Sequence, residues 1–290
     1  MINGKTKVLG VIGDPIEHTF SPAMQNAGLE FLDLNFKYLP FHVKNLSQAI
    51  LGAKSLDFMG LNVTIPHKIA ILDCLDKIDK VAEMIGAVNT VKFEENEDGE
   101  KIAIGYNTDG YGAVRAINEV TDVKDKKVVI TGAGGASRAI AFQIANSGIS
   151  ELSILNRNYK KAANLSKDLN NNLDNFESNL EINSYELSDL DKELSSADIL
   201  IDTTPLGMFP NIDDKPIASS EMMHENLVVN DIVYTPKDTS LIKEAKKAGC
   251  TTVYGYKMLL YQGIRSFEIW LNQEAPVEVM EKALLNTLGI

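Results

Sequence analysis

The sequence predicts an α/β protein built as two units. Three observations carry this. Short apolar runs closed by Gly or Pro alternate with stretches of helical spacing. A fresh strand–helix–strand series starts near Asp125. The 290 residues suit about two domains. The first unit is assigned to residues 1–112, joined by C-terminal helices over residues 256–290, and should hold a mixed sheet. The second, residues 113–255, should hold a doubly wound parallel sheet.

Lys7 to Ile12 reads as the first strand, ended by Gly13-Asp14-Pro15. Ser21-Pro22 opens a helix to about Leu32, because Ser is a favoured N-cap and Pro a favoured first helical residue. Phe36 to His42 is a second strand, Leu46 to Ser55 a helix, and Phe58 to Ile65 a third strand closed by Pro66. A helix is expected from His67 to about Leu75. Val88 to Phe93 and Lys101 to Tyr106 form a hairpin around the acidic turn Glu94 to Gly99. In the second unit, strand Lys127–Thr131, helix Ser137–Ser147 (with Gly148 to end it) and strand Glu151–Asn156 form a βαβ unit. Further strands are expected at Ile199–Thr203, Val228–Ile232 and Thr252–Val253. The Asn-rich stretch from Asn170 to Asn183 reads as a surface loop. Helices over Met258–Leu271 and Val277–Leu288 close the chain.

Composition narrows the function. Hydrophobic residues make up 44% and charged residues 23%, as in ordinary globular proteins. No apolar run reaches membrane-spanning length, the N-terminus lacks a signal peptide's basic and apolar blocks, and two cysteines make no disulfide framework. A cytoplasmic location is expected. The net charge of −12 argues against a nucleic-acid partner. It leaves an anionic small molecule open, since one well-placed cation outweighs distant, screened charges.

Five constellations carry chemistry. Gly132-Ala133-Gly134-Gly135-Ala136 follows a strand and opens a helix. Gly132 permits the tight turn and Gly134 the close approach of a pyrophosphate to the helix N-terminus. Ser137 stands where the generic dinucleotide motif has its third glycine. The strand before, the helix after and the second strand favour a dinucleotide over a purely structural turn. Asn156-Arg157, with Lys160 and Lys161 behind, ends the next strand where an NAD site carries Asp or Glu. Arg and Lys there suit a 2′-phosphate, hence NADP, over a merely solvated basic loop.

The third is Asn62-Val63-Thr64-Ile65-Pro66-His67-Lys68, which puts Asn62 and Thr64 on one face and Lys68 at the start of the next helix. A lysine against low-dielectric walls can act as general acid or base, although a lone lysine is more often solvated. The fourth, Asn107-Thr108-Asp109-Gly110, is plain turn chemistry unless Asp109 meets Lys68. The fifth is His18-Thr19-Phe20-Ser21-Pro22, two hydroxyls ahead of a helix N-terminus and a ready carboxylate site, unless Ser21 only caps the helix. The four histidines have no metal-ligand spacing, so no metal is expected.

In this order, with Gly86-Ala87-Val88-Asn89-Thr90, Thr204-Pro205-Leu206-Gly207-Met208 and Met258-Leu259-Leu260-Tyr261-Gln262, the segments from about Gly10 to Gln273 resemble the shikimate dehydrogenase family. The resemblance implies reversible, NADP-dependent reduction of 3-dehydroshikimate to shikimate, in chorismate and aromatic amino acid biosynthesis. It makes Lys68 the general acid–base and Asp109 its partner and a substrate contact. Thr19 and Ser21 would hold the carboxylate, and Thr64, Asn89, Tyr234 and Gln262 the ring hydroxyls. Gly132 to Ala136, Asn156, Arg157, Lys161, Ile232 and Gly255 would line the cofactor. It implies a Rossmann-like second unit and a monomer or homodimer.

Three positions depart from the family's usual residues: Thr19 for Ser, Gln25 for His, and Asn158 for Thr. The tail Tyr254 to Gly263 is closer to the quinate/shikimate dehydrogenase subgroup. Quinate as a substrate and NAD as a cofactor therefore stay open. So does a non-catalytic, ligand-binding regulator, against which the intact Lys68 and Asp109 count.

Overall fold

A computed structural model describes residues 2–176 and 180–290. The chain divides into two compact units: residues up to Thr108 together with Gln262 onward, and Asp109 to Tyr261.

The first unit holds β1 (Lys7–Gly13), α1 (Ser21–Phe31), β2 (Phe36–His42), α2 (Leu46–Ser55), β3 (Gly60–Val63), β4 (Lys77–Ile78), α3 (Lys80–Ile85), β5 (Thr90–Glu95) and β6 (Lys101–Tyr106). Its six strands run in the order β2-β1-β3-β5-β6-β4. β5 is antiparallel to both its neighbours and the other pairings are parallel, so the sheet is mixed. One core gathers Ile12, Ile50, Leu61, Val63, Ile71, Val91 and Phe93 from strands and helices alike. The buried strands therefore read as nearly continuous apolar runs.

The second unit holds α4 (Asp109–Asn118), β7 (Lys127–Thr131), α5 (Gly135–Ala145), β8 (Glu151–Asn156), α6 (Tyr159–Asn170), β9 (Glu181–Glu186), α7 (Leu190–Leu194), β10 (Ile199–Asp202), β11 (Val228–Asp231), α8 (Ser240–Lys247) and β12 (Thr251–Val253). Helix α9 (Gly255–Leu271) starts in this unit and ends in the first, to which α10 (Val277–Leu288) belongs. The sheet is wholly parallel, in the order β12-β11-β10-β7-β8-β9. Its first strand, β7, lies in the middle, and the winding reverses between β7 and β10. In such sheets the crevice at the carboxyl ends of the strands at that reversal binds ligands.

Four expectations need correction. No α-helix spans His67–Leu75: residues 65–69 form a turn, and a 3₁₀ turn follows at Ala70–Cys74. The carbonyl of Lys68, which a helix would give to residue 72, accepts from Val88 N–H at 2.8 Å, and Leu72 N–H bonds to Ile69 instead. Ser21 is not the N-cap of α1. That position is Phe20, without a side-chain cap, and Ser21 is already helical. The third strand is shorter than Phe58–Ile65, with ladder pairing confined to Gly60–Val63. The stretch 170–183 is not one loop: α6 runs through Asn170 and β9 starts at Glu181, while residues 177–179 lie outside those described. As an edge strand β9 needs few apolar anchors, the buried Ile182 and the partly buried Tyr185, so its sequence stays mostly polar.

In the first unit, Trp270 of α9 packs against Gly60 of β3 and donates its indole N–H to Val91 O at 2.9 Å. A methyl at position 60 would land inside the indole. Gly60→Ala should lower stability by about 1–3 kcal/mol, the usual cost of overpacking. Urea unfolding of the two proteins checks this; an unchanged midpoint would contradict it.

Candidate active site

In the first unit the segment that carries Lys68 is pinned at several points. Thr64 N–H bonds to Ile12 O at 3.0 Å and His67 N–H to Thr64 O at 2.9 Å. Asp14 N–H reaches back to Ile65 O at 3.1 Å, and the Thr64 methyl fills the space beside Gly13. His67 is buried and its Nε2 bonds to Val43 O at 2.7 Å. Lys68 itself is half-buried, between the exposed Ile65 and Ile69. The turn is thus a rigid mount for a side chain that keeps partial access to solvent.

Beside it runs a buried polar chain. Tyr38 donates to Asn62 Oδ1 at 2.7 Å, and Asn62 Nδ2 donates to Asn89 O, Thr90 Oγ1 and Ser266 Oγ at 3.2, 3.1 and 3.0 Å. Asn89 Oδ1 accepts from Thr108 N–H at 2.8 Å, while its Nδ2 donates to Thr108 Oγ1 at 2.9 Å and Gln262 Oε1 at 3.4 Å. Of the expected substrate residues, the structure therefore joins Asn89 and Gln262 directly. Ser21 hydrogen-bonds the Tyr38 hydroxyl, which ties the start of α1 to the same chain. Full burial pushes the Tyr38 hydroxyl's pKa up, so it stays a donor. Thr19 Oγ1 accepts from Ser21 N–H at 3.4 Å, and both residues are half-buried. Gln25 is buried in α1 and donates to Gly263 O at 2.8 Å, an anchor between helices.

Tyr38 and Ser266 went unnoticed in the sequence. Ser266 could have been found, since it stands one helical turn after Gln262 on the same face.

In the second unit, Gly132 has φ of 102°, which a side chain would disfavour, and any Cβ there would collide with Thr203 Oγ1. Gly134 is the N-cap of α5, whose first turn has no side-chain cap. A Cβ at Gly134 or Gly135 would meet nothing within 4 Å, so the helix N-terminus faces open space. Ser137 is fully buried and donates to Gly132 O at 2.8 Å. That bond explains the missing third glycine: a short hydroxyl braces the turn from within. Asn156, at the end of β8, donates to Asn158 O at 3.0 Å, and Arg157, Lys160 and Lys161 are exposed. Gly255 packs onto the carbonyls of Ile232 and Val233, where a Cβ would not fit. Ala133, Ile232 and Tyr234 are half-buried, and burial raises the pKa of the Tyr234 hydroxyl. Asp109 is the first residue of α4 and half-buried. An open, uncapped helix start with cations at the end of the next strand suits a dinucleotide that bears an extra phosphate. Among the described residues, no group of three or more His, Cys, Asp or Glu could hold a metal ion.

Two buried carboxyls, which sequence reasoning passed over, lie at the carboxyl end of this sheet. Asp202 and Asp231 are register partners on β10 and β11. Burial lifts Asp202 to about 6; burial and the charge of Asp202 lift Asp231 to about 7.

These features define a two-unit α/β protein whose second unit has the doubly wound architecture of dinucleotide-binding oxidoreductases. Comparison with known proteins gives the family. Residues 11–91 match the shikimate dehydrogenase substrate binding domain, 115–238 the shikimate/quinate 5-dehydrogenase model and 255–285 the shikimate 5′-dehydrogenase C-terminal domain. A shikimate dehydrogenase (NADP(+)) of Methanobrevibacter smithii is 53% identical, covering 100% of both chains. A crystal structure of a shikimate dehydrogenase in complex with NADP+ is similar with a TM-score of 0.89 and 48% identity, over 99% of this chain and 98% of that one. The Listeria monocytogenes shikimate 5-dehydrogenase, in complex with shikimate and NAD, has a TM-score of 0.89 at 36% identity, over 98% of each chain. The chain belongs to the shikimate dehydrogenase family.

The two aspartates set a pH dependence. Their folded pKa values lie above the unfolded carboxylate value, so the folded state binds the extra protons. Their contribution to stability is complete below about pH 4 and is lost as pH rises through about 6 and 7. Asp231→Asn removes the larger shift, so between pH 5 and pH 8 the variant should lose less stability than the parent, by a few kcal/mol at most. Urea unfolding at both pH values measures this. Parallel losses would show that the carboxyl is not buried in its charged form.

Proposed function

We propose that the protein reduces 3-dehydroshikimate to shikimate, reversibly, with NADPH as the hydride source. The single observation that carries this reading is the pinned turn of Lys68, whose carbonyl accepts from Val88 N–H, one residue before Asn89 of the Asn89–Gln262 pair. NADPH, when bound, supplies the hydride. Lys68, as an ammonium, donates to the carbonyl oxygen, stabilises the negative charge that grows there and delivers the proton; in the reverse direction it takes the proton back. Asp109 keeps Lys68 charged and oriented and contacts the substrate. Thr19 and Ser21 hold the carboxylate at the start of α1. Thr64, Asn89, Gln262 and Tyr234 orient the ring hydroxyls. On the cofactor side, Gly132 to Ala136 take the diphosphate at the start of α5. Asn156, Arg157 and Lys161 take the 2′-phosphate and ribose, and Ile232 and Gly255 line the remainder.

The relatives named for NADP support this choice, as do Arg157 and the lysines behind it. A second reading, quinate oxidation or NAD use, is favoured by the tail Tyr254 to Gly263 and by the NAD complex of the Listeria relative. We place the enzyme in the cytoplasm, in aromatic amino acid biosynthesis, as a monomer or homodimer without a nucleic-acid or membrane partner.

The test is kcat/KM for shikimate and quinate with NADP and with NAD. The proposal expects shikimate with NADP to lead; a clear preference for quinate with NAD would overturn it. Lys68→Ala should cut kcat by about 10²–10⁴-fold while NADPH binding survives. Unchanged turnover would show that a group other than Lys68 moves the proton. Arg157→Ala should reduce the NADP-over-NAD preference by about 10–100-fold, the worth of a charge-assisted bond. An unaltered preference would move the 2′-phosphate contact elsewhere.

A further inference from the structure

The carboxyl end of the parallel sheet carries a row of polar side chains on adjacent strands. Thr131 of β7 is the register partner of Asp202 on β10, and Asp202 that of Asp231 on β11. All three are buried, in strands whose other buried positions, Asn230 apart, are Val, Ile and Leu. Buried carboxyls are costly and persist where their oxygens are used. Here all four are. Asp202 Oδ1 accepts from the Thr131 hydroxyl at 2.7 Å and Thr204 N–H at 3.0 Å, and its Oδ2 from the Thr204 hydroxyl at 3.0 Å. Asp231 Oδ1 accepts from Val233 N–H at 2.9 Å, and its Oδ2 from the Thr239 hydroxyl at 2.6 Å.

The donors are the informative part. Thr131 is the last residue before the Gly132 turn. Thr204 stands in the loop after β10, and Val233 in the loop after β11. Between the first two, the Thr203 hydroxyl donates to Thr131 O at 2.7 Å and fills the space that a Cβ of Gly132 would need. The glycine turn is thus held from one side by Thr203, from beneath by Asp202 through Thr131, and from within by Ser137.

We infer that Asp202 is a positioning residue for the dinucleotide: it ties the strand end from which the Gly132 turn springs to the loop that begins at Thr203. This rests on the reading of the second unit as the cofactor-binding unit. Asp202 touches neither reacting group; it acts through Thr131 and Thr204. An Asn at position 202 keeps an acceptor for Thr131 and Thr204 N–H, and Thr204 can turn its hydroxyl to accept from the amide. An Ala removes all three bonds and leaves buried donors unpaired.

The test measures NADPH affinity of the full-length protein by fluorescence titration, and KM for NADPH and for 3-dehydroshikimate, in Asp202→Ala, Asp202→Asn and Thr131→Val. Expected are a loss of NADPH affinity of about tenfold or more in Asp202→Ala, from unpaired buried groups and a displaced turn, with KM for 3-dehydroshikimate within about twofold. Asp202→Asn should recover most of the loss. Thr131→Val, which keeps its shape and needs no new packing, should weaken NADPH by about threefold or more even where Asp202→Ala does not fold. The inference is overturned by parental NADPH affinity in Thr131→Val and Asp202→Ala, by equal increases in both KM values, or by no recovery with Asn. Failure of the parent protein to bind NADPH would instead overturn the reading beneath it, and this inference with that reading.

Discussion

One main-chain hydrogen bond organises the first unit: Val88 N–H to Lys68 O, at 2.8 Å. By taking the carbonyl that a helix would use, it keeps residues 65–69 a turn and holds Lys68 against the strand end that continues into Asn89 and Thr90. The side chain of His67 fixes the far side of the same turn on Val43. Asn89 then leads into the buried chain through Thr108, Ser266, Asn62 and Tyr38 to Ser21. Each buried polar group in this chain has its partner in the next, so displacing one costs the bonds of its neighbour. A site of this kind is precise because its residues have few other places to go.

The second unit solves a related problem with other means. A dinucleotide turn must leave its backbone open on the ligand side and still be rigid behind. Gly134 and Gly135 supply the open side. Behind them, Ser137, Thr203 and Asp202 supply hydrogen bonds where a third glycine would have supplied only space. Close packing is met elsewhere: Gly110 lets α4 press onto the Ala139 carbonyl of α5. The doubly wound strand order puts all this at the reversal between β7 and β10.

Much of the fold could be read directly from the residues. Phe36–His42, Leu46–Ser55, Lys127–Thr131, Glu151–Asn156 and Val277–Leu288 form the elements that their patterns announce. The misreadings share a cause: a long-range bond or packing demand outweighed a local pattern. The helix expected at His67 fails because of Val88, twenty positions beyond Lys68 and invisible in a local window. The polar strand β9 escaped because an edge needs little apolar surface. Helix α4 hid behind Asn107-Thr108-Asp109-Gly110, whose turn-like glycine serves helix packing. The site shows the same division. Lys68, Asp109, the glycine turn and Arg157 stand in recognisable segments, whereas Tyr38, Ser266, Asp202 and Asp231 acquire meaning only from what folding brings beside them.

The central claim is that the pinned turn presents Lys68 to the reacting oxygen. A crystal structure of the full chain with shikimate and NADP+ tests it most directly. The account predicts Lys68 Nζ within about 3 Å of the reacting hydroxyl oxygen, with the Asp109 carboxylate in hydrogen-bond reach of both. Lys68 turned to solvent, with another group at that oxygen, would contradict it.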